Sequence, residues 1–140
     1  MNYTSLLLVD DDADDQLLFS EALREINHPV SYEAASDGID ALKRLSTAPS
    51  MPQLIFLDLN MPIMHGFECL KRIKEHAYLN TIPVIIFTTS NSPLDIHMAK
   101  QLGASAYFCK PMHFNHLCEK LRSILEGMWD LGVKGFRMIE

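Results

Sequence analysis

The sequence predicts an α/β fold, a doubly wound five-stranded parallel sheet with five helices. The chain has 140 residues, 48% of them hydrophobic, and five short apolar runs alternate with segments in which apolar residues recur at helical spacing. Strands that alternate with helices indicate parallel pairing through right-handed crossovers. The common order of five such strands is 2-1-3-4-5, with helices on both faces, so we expect one domain with a three-layer α/β/α architecture.

The predicted strands are apolar runs that are too short to be helices. The third, Leu54–Leu57, lies between Pro52 and Pro62, reads as a buried parallel strand and leads directly into Asp58. The first shows the same layout, since it leads into Asp10. The five predicted strands lie at 6–9, 30–35, 54–57, 83–87 and 106–109.

The helices are predicted between these strands. The first begins near Asp14, among acidic residues that favour the helix dipole, and stops at Asn27. The fourth closes at Gly103, because a residue without a Cβ suits a left-handed helix cap. The five predicted helices lie at 14–26, 38–45, 66–75, 94–102 and 115–126.

Charge and composition exclude several classes of function. The net charge is −6 and the basic residues are scattered, which argues against a nucleic-acid surface. Three cysteines without a paired short spacing fit a reducing compartment better than a disulfide framework or a zinc site. The sequence has neither a run of about 20 apolar residues nor the layout of a signal peptide, so we expect a cytoplasmic protein without a membrane segment.

Carboxylates follow two strands that the predicted order places side by side. Asp10 and Asp11 follow the first strand and Asp58 follows the third, at the switch point of the sheet, where ligands bind in this architecture. Three carboxylates that lie close together repel each other. A divalent cation that prefers oxygen ligands, such as Mg²⁺, would offset this repulsion. Three further acidic residues are interpreted as a helix-start cluster: Asp12, Asp14 and Asp15.

Two other polar residues end strands on the same edge. Thr88 follows the fourth strand and Lys110 follows the fifth. A hydroxyl and an ammonium beside a cation-bound carboxylate form a site for a tetrahedral anion such as a phosphoryl group. Asp58 is then a nucleophile that forms an acyl phosphate.

These residues occur within motifs that resemble the receiver domain of two-component response regulators. The match spans residues of about 5 to 127, and the resemblance implies a CheY-like, flavodoxin-like domain. The motifs, in order, are Val9-Asp10-Asp11-Asp12, Leu57-Asp58-Leu59-Asn60-Met61-Pro62 followed by Gly66, Phe87-Thr88-Thr89-Ser90, and the run from Gly103 to Lys110-Pro111.

The resemblance implies a phosphoacceptor and a metal site. Asp58 would accept a phosphoryl group from a histidine kinase or a histidine phosphotransfer protein, and the domain would be no enzyme beyond supporting its own phosphorylation and dephosphorylation. Asp11 would bind Mg²⁺ directly, with Mn²⁺ as a possible substitute, and Asp10 would act largely through water. The backbone carbonyl of Asn60 would complete the protein ligands.

The resemblance also implies a switch. Thr88 and Lys110 would bind the phosphoryl oxygens, and the Lys110–Pro111 bond would be cis. Phosphorylation would pull the Thr88 hydroxyl inward and open space for Tyr107, which would reposition the face made by the fourth helix, the fifth strand and the fifth helix. Thr89 is bulkier than the Ala or Gly of many receivers, and it would alter the lifetime of the phosphate.

The last residues of this sequence are expected to form a tail rather than an output domain. We assign residues 1–127 to the receiver domain and 128–140 to the tail. Trp129, Leu131, Val133, Phe136 and Met138 are too apolar for a solvated segment, so they are expected to cover the protein's own surface or a partner's, with disorder as the alternative. A stand-alone receiver would signal by docking to an unknown downstream protein or by phosphorelay. The run from Thr81 to Ser90 and the tail resemble single-domain regulators paired with phytochrome-type kinases, some of which form homodimers.

Three other interpretations stay open. The spacing of Asp10, Asp12, Asp14 and Glu21 fits a calcium-binding EF-hand loop, although Asp15 stands where that loop needs glycine. Asp10 and Asp12 fit the Asp-x-Asp pair of a haloacid dehalogenase-type phosphatase, which would leave Asp58 unexplained. The third is a receiver-like interaction module that works without phosphorylation.

Overall fold

The computed structural model describes residues 2–47, 51–132 and 135–140. Within them no helix is both long enough and apolar enough to cross a lipid bilayer. The elements, in chain order, are β1 (Ser5–Val9), α1 (Ala13–Ile26), β2 (Ser31–Ala35), α2 (Gly38–Thr47), β3 (Leu54–Leu57), α3 (Gly66–Glu75), β4 (Val84–Thr88), α4 (Pro93–Gln101), β5 (Ala106–Cys109), α5 (Phe114–Leu125) and β6 (Arg137–Ile139).

The strands form one parallel sheet in the order β2-β1-β3-β4-β5-β6. The predicted order 2-1-3-4-5 is therefore confirmed, together with the five helices and the α/β class. The sixth strand was not predicted. It comes from the tail and pairs with β5, which would otherwise be the edge of the sheet.

Two hydrophobic cores lie on the two faces of the sheet because alternate residues of each buried strand point to opposite sides. Leu7 and Val9 of β1 belong to the core under α2, α3 and α4. Leu6 and Leu8 belong to the core under α1 and α5. This packing fixes the ends of the central strands, where the candidate site lies.

Two helices bury faces that differ in part from those that their apolar spacing predicts, although Ala22, Leu23 and Ile26 of α1 are buried as expected. Leu17 and Leu18 of α1 are exposed, and Phe19 is buried against the rings of Phe56 and Phe87. In α4, Leu94 is exposed and the small Ala99 is the buried residue. The helix rotation that buries Phe19 leaves its apolar neighbours in solvent. Gly103 has a φ of +96°, which agrees with its predicted left-handed conformation.

The described part of the tail packs on the domain. Leu131 and Ile139 are buried in the core under α1 and α5, and Phe136 packs against the core on the opposite face. The indole nitrogen of Trp129 donates to the Ser123 hydroxyl at 2.9 Å. These residues therefore cover the protein's own surface. Val133, which shares the expectation made for the tail, lies outside the described residues.

Candidate functional site

The carboxylates that follow β1 and β3 meet because the two strands are neighbours in register. Val9 lies opposite Leu57, so Asp10 and Asp58 leave the sheet at the same level. The Asp58 backbone N–H donates to the carbonyl of Val9 at 2.9 Å. One carboxylate oxygen from each of Asp10, Asp11 and Asp58 lies within 4.8 Å of the other two. The predicted convergence of these side chains is therefore present.

The buried position of two of these groups makes their negative charge costly. Asp10 is fully buried and Asp58 is only 8% exposed, whereas Asp11 is exposed to solvent. Burial raises the pKa of Asp10 above its usual value, although the hydrogen bond from Lys110 acts in the opposite direction. A cation that binds these carboxylates would offset the cost of keeping them ionised.

The donor set fits a small, hard cation. The three side chains offer carboxylate oxygens, the ligand type that Mg²⁺ and Mn²⁺ prefer. Asp58 is oriented by its own loop, because its Oδ1 accepts from the Leu59 backbone N–H at 2.8 Å. Asn60, two residues after Asp58, is exposed, and its backbone carbonyl is the predicted fourth protein ligand.

Lys110 joins this cluster from β5. Its Nζ lies 2.7 Å from Asp10 Oδ2, 2.7 Å from Asp15 Oδ2 and 3.2 Å from Asp58 Oδ2. Burial alone would lower the pKa of this ammonium, but the hydrogen bonds to Asp10 and Asp15 and the charges of Asp10 and Asp58 raise it above its usual value. Lys110 therefore carries a fixed positive charge beside Asp58.

The backbone that carries Lys110 differs from the expectation in one respect. No peptide bond among the described residues is cis, so the Lys110–Pro111 bond is trans and the predicted cis bond is wrong. The ladder between β4 and β5 directs the lysine instead. Thr88 lies opposite Cys109, and the Lys110 backbone N–H donates to the Thr88 carbonyl at 2.7 Å. The trans form is also the lower-energy form of a peptide bond that precedes proline.

Asp15 is a partner of Lys110 that the sequence interpretation missed. That interpretation is confirmed for Asp12, which is the N-cap of α1 and accepts from the backbone N–H groups of Asp14 and Asp15. Asp15, however, also reaches Lys110. Its place in the first turn after a strand of the site was a usable signal, but the direction of its side chain was not readable from the sequence.

The residues predicted to form a switch lie beside this cluster. Thr88 is fully buried at the end of β4, and its hydroxyl accepts from the Ser90 backbone N–H at 3.5 Å, a long contact. Tyr107 is fully buried as well, and its hydroxyl donates to the Ser90 carbonyl at 2.8 Å. The Ser90 hydroxyl donates to Asp95 at 2.6 Å, which ties this loop to α4. The Tyr107 hydroxyl is therefore attached to the loop after β4.

A glycine holds the loop of Asp58 against α3. The Gly66 backbone N–H donates to the Leu59 carbonyl at 2.8 Å. A Cβ at Gly66 would lie 2.2 Å from the Asp58 carbonyl oxygen and 2.7 Å from the Leu59 Cα. Only glycine therefore allows the first residue of the helix to pack directly on the backbone of the candidate phosphoacceptor.

Comparisons with known proteins agree with this geometry. Residues 6–122 match the family model of the response regulator receiver domain. The phosphorylated cyanobacterial phytochrome response regulator RcpA has 32% sequence identity and a TM-score of 0.81, covering 91% of this chain and 94% of RcpA. The Mn²⁺-bound form of response regulator Rcp1 has 29% identity and a TM-score of 0.78, covering 91% of this chain and 95% of Rcp1.

A curated relative is longer than this chain. The response regulator protein GraR of Staphylococcus haemolyticus is 28% identical over 134 residues, which are 96% of this chain and 57% of GraR. This chain thus spans little more than half of that relative.

Proposed function

The chain belongs to the response regulator receiver domain family, and from that premise we propose that Asp58 accepts a phosphoryl group in a reaction that depends on Mg²⁺. One observation carries the proposal: the buried Asp58 carboxylate, two further carboxylates and the Lys110 ammonium meet at the carboxyl ends of β1, β3 and β5. The site thus combines a nucleophile, oxygen ligands for a cation and a cation for the transferred group.

The proposed reaction transfers a phosphoryl group from a histidine nitrogen to a carboxylate oxygen. A carboxylate oxygen of Asp58 forms the bond to phosphorus, and the bond from phosphorus to the imidazole nitrogen of a phosphohistidine breaks. The electron pair stays on that nitrogen, which takes up a proton and leaves as neutral histidine. A divalent cation bound beside Asp58 would offset the negative charge of the phosphoryl oxygens. Asp11, Asp10 and the carbonyl of Asn60 would hold the cation.

Two side chains would bind the transferred group. Lys110 already bonds to Asp58 Oδ2 and would donate to a phosphoryl oxygen in the same direction. Thr88 would donate its hydroxyl to another phosphoryl oxygen, and the Ser90 backbone N–H that now contacts the hydroxyl would have to adjust. The phosphoryl donor would be a sensor histidine kinase or a histidine phosphotransfer protein.

The signal would leave through the face that α4, β5 and α5 form. Tyr107 connects the loop after β4 to this face, because its hydroxyl holds the Ser90 carbonyl. The tail lies at the same edge, with Met138 opposite Tyr107 in the β5–β6 ladder. We therefore include β6 in the surface that would dock to a downstream protein or to a second copy of the chain.

A cytoplasmic location remains a prediction from the sequence.

The other interpretations of the acidic residues have less support. Asp12, which a phosphatase of the haloacid dehalogenase type would need as its acid, is the N-cap of α1. Glu21, which an EF-hand loop would need as a ligand, lies exposed in the middle of α1. An interaction module that works without phosphorylation remains the competing hypothesis.

Labelling with a small phosphodonor tests the proposal. The protein is incubated with acetyl phosphate and Mg²⁺, and its intact mass is measured. We expect the addition of one phosphoryl group, which disappears with a chelator and in Asp58→Ala but persists in Asp14→Ala. Asp14 is a suitable control because it is an exposed carboxylate of the neighbouring turn.

Other results would contradict the proposal. Absence of Mg²⁺-dependent labelling in the parent protein would favour the interaction module. Labelling that survives in Asp58→Ala would assign another acceptor. Continuous turnover of a phosphate ester would favour the phosphatase.

A further inference from the structure

Asp15 holds Lys110 as closely as any residue of the proposed site does. Asp15 lies in the first turn of α1, and its Oδ2 is 2.7 Å from Lys110 Nζ, against 3.2 Å for Asp58 Oδ2. The side chain of Asp15 is 32% exposed and that of Lys110 is 10% exposed, so the contact is half-shielded from solvent. The pair is therefore a charge-assisted hydrogen bond at the edge of the pocket rather than a solvated surface pair.

The capping of α1 does not require the Asp15 carboxylate. Asp12 carries out that function, since its Oδ1 accepts from the N–H groups of Asp14 and Asp15. Asp14 occupies the same turn and offers the same charge to the helix dipole, but it is exposed. A role in starting the helix thus leaves the position of the Asp15 side chain unexplained, whereas the contact with Lys110 explains it.

The three acceptors of Lys110 have different duties in the proposed reaction. An ammonium has three N–H groups, and Asp10, Asp15 and Asp58 can accept one each. Asp10 belongs to the carboxylate cluster that would hold the cation, and Asp58 would be converted to the acyl phosphate. Asp15 is outside that cluster. Its bond to Lys110 can therefore persist while the other two acceptors change.

We infer that Asp15 is a positioning residue, which holds the Lys110 ammonium over the pocket so that it can bind a phosphoryl oxygen on Asp58. The inference rests on the proposed function and adds to it a residue of α1. It distinguishes Asp15 from a carboxylate that merely contributes negative charge near the site. Without the contact, the Lys110 side chain could turn away from Asp58, and this would slow the transfer of the phosphoryl group.

The rate of Mg²⁺-dependent labelling by acetyl phosphate tests the inference with a matched pair of carboxylates. We expect Asp15→Ala to slow labelling about tenfold, because a misplaced catalytic group can cost up to about a hundredfold. Asp15→Asn should recover much of the rate, since its amide oxygen can still accept from the ammonium. Asp14→Ala and Asp14→Asn remove the same charge one residue away and should leave the rate within about twofold of the parent, as expected for exposed charges.

A double-mutant cycle then identifies the partner of Asp15. In a Lys110→Ala background, Asp15→Ala should cause no further loss, because the group that it positions is absent. An Asp15→Ala effect that persists unchanged in that background would overturn the inference. Equal rates for Asp15→Ala and Asp14→Ala would overturn it as well.

A second measurement does not depend on labelling. The Lys110 ammonium should give a slowly exchanging ¹H–¹⁵N signal, since it is buried and has three acceptors. That signal should broaden or vanish in Asp15→Ala and persist in Asp14→Ala. Its persistence in Asp15→Ala would contradict the inference. This measurement can be made even if Lys110→Ala is labelled too slowly for the double-mutant cycle. Failure of the proposed function is distinguishable, because it would abolish labelling of the parent protein.

Discussion

A single strained residue stands between the candidate phosphoacceptor and α3. Ile63 has a φ of +70°, and the Met64 backbone N–H donates to the Pro62 carbonyl at 2.7 Å. This bond closes a three-residue γ-turn, and a positive φ at its central residue marks the strained form. A β-branched side chain is especially unsuited to this conformation. The strain lies in the loop that carries Asp58, and the 80% exposure of Ile63 means that packing does little to offset it.

Glycine at position 63 should therefore stabilise the fold relative to alanine. Glycine is usually less stable than alanine by about 0.5–1 kcal/mol because it loses more backbone freedom on folding. Here a Cβ adds strain on the order of 1–3 kcal/mol, which should make the glycine variant the more stable of the two. The free energy of unfolding of Ile63→Gly should therefore be about 1 kcal/mol higher than that of Ile63→Ala. Urea denaturation of both variants measures the difference. A less stable glycine variant would show that the turn is unstrained.

Residues differ in how far the sequence predicts their place in the site. Asp10, Asp58 and Lys110 were found because each directly follows an apolar strand, and the ends of parallel strands share one edge. Asp15 was not assigned to the site because the direction of a helical side chain depends on how the helix is rotated against the sheet. The same rotation, set by the packing of Phe19, also leaves Leu17 exposed. The sequence thus locates strand ends better than helix faces.

At the scale of elements, the geometry of the site depends on the close approach of α3 to the loop after β3. A Cβ at Gly66 would meet backbone atoms of Asp58 and Leu59, which cannot rotate away. Gly38, at the start of α2, offers a contrast. A Cβ there would lie 2.8 Å from the Sδ of Met64 and 3.0 Å from its Cβ and Cγ, so it would meet one side chain rather than backbone.

Alanine at the two glycines should have different consequences. Gly66→Ala should lower the free energy of unfolding by about 2 kcal/mol or more, because overpacking against backbone forces the helix away from the loop. It should also slow the labelling of Asp58, whose carbonyl it would displace. Gly38→Ala should cost less than Gly66→Ala, about 1 kcal/mol, since the added methyl meets a side chain rather than backbone and alanine favours a helix. Urea denaturation with the acetyl phosphate assay measures both effects, and equal losses in the two variants would contradict the argument.

At the scale of the whole molecule, the tail changes how the sheet ends. The sequence indicated that tail residues would cover an apolar surface, but not that they would form a strand. Arg137–Ile139 is too short for an alternating pattern to be recognised, and its pairing with β5 is a tertiary contact that no local signal encodes. The consequence is that β6 rather than β5 presents the exposed edge, so any partner that approaches this side meets the tail first.

Two neighbouring residues of β6 test whether the tail is part of the cooperative fold. Ile139 is 1% exposed in the core under α1 and α5, whereas Met138 is 39% exposed. Ile139→Ala should lower the free energy of unfolding by about 2 kcal/mol, the lower end for a buried aliphatic residue because the chain end can relax. Met138→Ala should change it by less than about 0.5 kcal/mol, as is usual for surface substitutions.

The two measurements also separate docking of the tail from its release. If the tail unfolds with the rest of the domain, Ile139→Ala shifts the whole urea transition without changing its slope, because the same surface is exposed on unfolding. If the tail undocks separately, hydrogen exchange at the β5 edge speeds up in Ile139→Ala while the main transition stays in place. An Ile139→Ala protein that matches Met138→Ala in both the transition and the exchange rates would mean that β6 does not hold the edge of the sheet in solution. The surface proposed for partner docking would then be β5 itself.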